Sequence, residues 1–141
     1  MKYLTLLPLL LMMGCATVGT QQPVNVAVPP VVHDCATIQG VLQHVKDRHC
    51  TLGVAADQFI PSLCNTDALD SVCREIFNSQ GVNVLQQGSG NYVLTGNLME
   101  IIGTANQQCG RVVFSSTGNM VTIFPVVNNG ELPNGCAAAP Q

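Results

Sequence analysis

Charge is the scarcest property of this sequence. Only 9% of its residues are Asp, Glu, Lys or Arg, against roughly 25% in an ordinary soluble domain. Basic residues are the scarcer sign, with 5 Lys and Arg against 8 Asp and Glu and a formal charge of −3. That balance makes no basic footprint, so a nucleic-acid partner is excluded. Trp is absent and aromatics make up 4%. Long apolar runs are also missing beyond the N-terminus. Even that run is shorter than the about twenty residues a bilayer-spanning helix needs, which excludes a polytopic membrane protein. A disordered chain is excluded as well, because 47% of residues are apolar and the net charge is small. The 141 residues allow one domain of modest size.

Catalytic and metal-binding patterns are likewise missing. His33, His44 and His49, taken with Cys35 and Cys50, match no zinc-ligand spacing. There is no Cys-x-x-Cys. A nucleophilic Cys–His pair would need a free thiol of low pKa. Gly88-Ser89-Gly90 precedes neither a Lys nor a helix start, so it is no phosphate loop. Ser89, Ser115 and Ser116 fall in turns with no general base nearby in sequence. The expectation is a protein with no enzymatic activity, no cofactor, no metal and no small-molecule substrate.

What is present begins with an address. Lys2 gives a short positive region, and residues 4–13 form an apolar stretch of secretory length. Leu11-Met12-Met13-Gly14-Cys15 follows, and it resembles the bacterial lipoprotein signal. The resemblance implies cleavage after Gly14, acylation of Cys15 and, with Ala16 next, sorting to the outer membrane on its periplasmic side. Setting Cys15 aside leaves an even set of six: Cys35, Cys50, Cys64, Cys73, Cys109 and Cys136. In an oxidising compartment these read as disulfide candidates whose connectivity stays open.

The chain then divides into residues 1–14 as signal peptide, 15–34 as lipidated tether, 35–65 as a Cys-rich helical segment, 66–127 as an α+β domain and 128–141 as a C-terminal tail. Pro23, Pro29 and Pro30 keep the tether from being helical. It is either a spacer or, through the alternating Val24, Val26 and Val28, a partner-binding strand that adds to another protein's sheet. Ile38, Val41, Leu42 and Val45 fall on one helical face, with Thr37 as N-cap. Residues 54–63 read as a second short helix broken at Pro61.

From Asp67, a possible cap with Asp70 three residues on, the stripe Leu69, Val72, Cys73, Ile76 and Phe77 predicts a helix closed by Gly81. Strands are expected at 82–85 and 92–95 around the turn Gly88-Ser89-Gly90-Asn91. Asn97 and Glu100 are spaced as a capping box, and Leu98, Ile101, Ile102, Ala105 and Cys109 form a second helical stripe. Strands at 111–115 and 120–127 then flank Thr117-Gly118-Asn119. Cys136 is expected to pin the tail.

The resulting α-β-β-α-β-β order over 66–127 resembles the small secretin N-terminal domain, which also occurs in TonB-dependent receptors, in Q-type pilus accessory proteins and in the small lipoprotein of type IV secretion systems. The residues that carry it are the helix 69–79 closing on Gly81-Val82-Asn83-Val84, then Tyr92-Val93-Leu94-Thr95-Gly96-Asn97-Leu98, Ile101-Ile102, Cys109-Gly110 and Val121-Thr122-Ile123-Phe124-Pro125. The Cys-rich helical segment stands where the family has a first strand. Cys73 and Cys109, on the two stripes, either bridge the two helices or each pair elsewhere.

The resemblance implies a binding module: an outer-membrane lipoprotein that docks to and stabilises a secretion or type IV pilus channel. Two other classes stay open. One is a phage- or plasmid-encoded lipoprotein that blocks an outer-membrane receptor, and the other a disulfide-bearing envelope stress sensor.

Overall fold

The computed structural model describes residues 33–141. The lipidation candidate Cys15 and the strand candidates Val24, Val26 and Val28 lie outside the described residues.

A single 3-10 turn, Cys35–Thr37, leads into helix α1, Ile38–His49. Asp34 starts it, its carboxylate accepting from Ala36 N at 2.9 Å. Thr37 therefore already lies inside a helical turn and makes no side-chain cap. Its hydroxyl instead donates to the Asp34 carbonyl at 2.6 Å and accepts from Met120 N at 2.7 Å, which ties the helix start to the sheet. The expected stripe is real: Ile38 and Val45 are buried, and Val41 and Leu42 pack against the core.

The second short helix expected over 54–63 does not form. Gly53 turns the chain at a φ of 84°, and the backbone of residues 58–60 bonds across to residues 102–104 rather than to itself. Only Pro61–Leu63 makes a 3-10 turn, with Pro61 at its start, where a missing N–H costs nothing. Helix α2 follows, Thr66–Asn78. Asn65, not Asp67, is its N-cap, accepting from Ala68 N at 3.0 Å. Asn65 is extended, as a cap must be, whereas Asp67 sits in the first turn and favours the positive end of the helix dipole. Asp70 pairs with Arg74 at 2.7 Å. Leu69, Val72, Cys73 and Ile76 are buried as the stripe requires.

Strands β1 (Asn83–Gln86), β2 (Tyr92–Asn97), β3 (Cys109–Phe114) and β4 (Met120–Val126) form one antiparallel sheet in the order β1-β2-β3-β4. Its register aligns Val84, Leu94, Val112 and Ile123 across all four strands. That row packs into the same core as the helices. The alternate row carries Thr95, Arg111 and Phe124. Gly96 and Gly110 face each other across β2 and β3. A side chain at Gly96 would collide with Ser79, and one at Gly110 would come within 2.7 Å of Ile76 Cδ1. The glycine pair is thus a depression that seats the last turn of α2.

The helix expected from Leu98 to Cys109 is absent. Residues 98–108 are an irregular loop, and Cys109 begins β3. Asn97 ends β2, and its side chain accepts from Met99 N at 2.9 Å, a tight local turn with no helix behind it. Glu100 is exposed and completes no capping box. Ile102 is buried, with Ile60 N from a distant stretch of the same chain donating to its carbonyl and its own N–H donating to Gln107 O. The order is therefore α-α-β-β-β-β, an α+β body of two helices and a four-stranded antiparallel sheet.

Three disulfides close it: Cys35–Cys73, Cys50–Cys64 and Cys109–Cys136. The bridge between Cys73 and Cys109 does not occur. Cys73 meets the entrance of α1, while Cys109 packs with Val126 and Cys136 in a second, smaller cluster.

Candidate functional site

The tail runs along the side of the sheet away from the main core. Ala137 N bonds to Val127 O at 3.0 Å, and Cys136 is joined to Cys109. Asn134 Nδ2 donates to the Thr95 carbonyl at 3.1 Å, and Asn97 Nδ2 donates to the Asn134 carbonyl at 3.1 Å. Arg111 donates from Nη2 to the Ala137 carbonyl at 2.7 Å and from Nε to Thr95 Oγ1 at 3.0 Å. Burial lowers the guanidinium's pKa from its ordinary value. A buried cation here is held by oxygen dipoles of the tail and sheet.

Where α2 ends, the sheet and the tail leave a groove of about 820 Å³. One wall is the last turn and exit of α2, with Glu75 and residues 78–81. The second is Asn97, Leu98 and Met99, and the third is Pro133 and Asn134. Among the described residues, Glu75 is the only ionisable one lining it. The last turn of α2 holds no basic residue. A helix end leaves its last carbonyls without intrahelical donors and carries about half a negative charge. Asn97 and Asn134 each donate one amide N–H to the frame, and Ile76 O accepts from the Ser79 hydroxyl at 2.8 Å and from Ser79 N at 3.3 Å.

Met99 stands at the rim, 79% exposed and at a φ of 62°. A left-handed conformation costs a non-glycine residue about 1–2 kcal/mol. The cost is met by a chain of hydrogen bonds running from Met99 N to Asn97, from Asn97 to Asn134, and from Asn134 to Thr95. Such strain concentrates where function requires a fixed geometry. Ile101, two residues on, is 50% exposed.

Histidines mark two other places in the body. A smaller cavity of about 380 Å³ lies where the chain enters at His33, whose ring meets Phe114 at 4.9 Å and Tyr92 at 5.5 Å. The second place is His49, stacked on Phe124 at 5.0 Å. Its Nδ1–H donates to the Asp57 carbonyl at 3.0 Å, and the Asp57 carboxylate is 3.5 Å away. Burial lowers the His49 pKa; the Asp57 carbonyl and carboxylate oppose this, while His44 and Arg48 add to it. Among the described residues, no three His, Cys, Asp or Glu side chains group so as to hold a metal ion, and no helix is long and apolar enough to cross a membrane.

The structure brings the six cysteine candidates together as three pairs. Sequence reasoning missed the groove residues. The local spacing of Asn97 suggests a helix cap, whereas its partner Asn134 lies 37 residues away. Glu75 and Met99 carried no local signal. No protein family, curated protein or solved structure matches the chain.

Proposed function

We propose that this chain is a lipid-anchored outer-membrane accessory protein, facing the periplasm, whose folded body docks to and stabilises a secretion or type IV pilus channel by protein–protein contact. Cys15 carries the acyl chains, and the body performs no reaction. The observation that carries this reading is the rim of the groove. Met99 is held in a strained backbone conformation and presented to solvent by three linked hydrogen bonds. A flexible thioether at such a rim suits contact with another polypeptide.

Two further features support it. β1 is an edge strand among the described residues, and an edge offers N–H and C=O groups to a second chain. The body shares two hairpins with the α-β-β-α-β-β order of the secretin N-terminal domain and has a loop, residues 98–108, where that order has its second helix, so kinship with that domain is proposed on the hairpins alone. The test is Cys15→Ser in the native cell. The channel protein should fall in abundance in the outer membrane, and unchanged abundance and location would contradict the reading.

A further inference from the structure

We propose that the Cys50–Cys64 bridge is a redox-sensitive latch: a dithiol opens it while the other two bridges stay closed, and its opening frees the loop that holds residues 98–108 in place. The three bridges differ in burial. Cys35, Cys73, Cys109 and Cys136 are at most 4% exposed, whereas Cys50 and Cys64 are each half-buried at the margin of the core. Thiol–disulfide exchange needs a thiolate to reach a bridge sulfur, so access selects which bridge is attacked first. A thiolate of the dithiol attacks one sulfur of the Cys50–Cys64 bond, and the other sulfur leaves as a thiolate that takes up a proton. The second thiol of the reagent then displaces the first cysteine. The bridge gains two electrons and two protons, and the dithiol is oxidised to a disulfide.

The bridge closes the neck of an irregular loop. Cys50 caps the end of α1, and Cys64 follows the 3-10 turn Pro61–Leu63. Apart from that turn, the residues between them form no helix or named strand. The loop nevertheless seats Phe59 in the core. It also holds residues 98–108 through three bonds: Ile60 N donates to Ile102 O at 2.9 Å, Thr104 N to Gln58 O at 2.8 Å, and Gln107 Nε2 to Ala56 O at 3.1 Å. Met99 and Ile101 stand exposed on that second stretch. The bridged cysteines are 14 residues apart, and cutting a ring of that size favours the open loop by about a hundredfold. The inference concerns the folded body and stands whether or not that body docks to a channel.

The full chain with Cys15→Ser and its disulfides formed would be titrated with dithiothreitol, quenched with iodoacetamide and mapped by mass spectrometry. The first partly reduced species to accumulate should be alkylated at Cys50 and Cys64 alone. A first species alkylated at Cys35 with Cys73 or at Cys109 with Cys136, or all six cysteines reacting together, would overturn the proposal. Hydrogen exchange of the selectively reduced species should show the amides of Phe59, Ile60, Ile102 and Thr104 losing about a hundredfold of protection, while Val72 in α2 and Val112 in β3 keep theirs. Cys50→Ser with Cys64→Ser should give the same pattern without reductant. Selective reduction with no such loss, or a loss spread evenly over helices and sheet, would overturn the latch as well.

Discussion

The two faces of the sheet are held by different physics. The helix-facing row, Val84, Leu94, Val112 and Ile123, joins a core with Leu69, Ile76 and Phe114. Burial there is non-directional, and each contact is shared among many neighbours. The opposite row contains Thr95 and Arg111 and is covered by a tail with no helix or named strand. Each group there has one or two partners, at a set distance. The first face sets the stability of the body. The second sets the geometry of the groove, because Asn134 and Pro133 reach it only when the tail is in place.

The sharpest way to break this comparison is to cut a large hole in the helix-facing core. Phe114→Ala should cost about 3–5 kcal/mol, read as a fall in the urea midpoint for the whole body. Removing the tail's covalent tie comes next. Cys109→Ala with Cys136→Ala should cost about 3–4 kcal/mol by the loop-entropy account. Protease cleavage should then concentrate after residue 127, while the helices keep their circular dichroism. A uniform loss of protection across the chain would show that the faces are not separable.

The smallest effect is the pH response of His49. Its ring resists protonation in the folded state, so the unfolded chain binds the proton more readily. Its contribution is present above pH 6.5 and is lost as pH falls from there toward the depressed pKa. The urea midpoint should therefore drop on acidification below pH 6.5, and His49→Phe should remove that part of the drop.

Legibility in the sequence followed the range of the deciding contacts. Both hairpins were readable because their turns are local: Gly90 and Gly118 adopt φ values of 84° and 86°. The α2 stripe was readable for the same reason. Residues 98–108 satisfied helical spacing yet form a loop, because their backbone is claimed by residues 58–60 and their buried amide Gln107 by Ala56, 51 residues earlier. The cysteine pairs were unreadable until the tertiary fold chose among them. The groove was hidden for the same cause, since three separate stretches of chain meet to form it.

The most direct test places a photo-crosslinker at Met99 of the acylated protein in its own envelope, with one at Val121, a strand position outside the groove, as control. The account expects a single outer-membrane channel protein bound from position 99 and not from 121. Equal adducts from both positions, or none from position 99 while the channel still depends on Cys15, would contradict it.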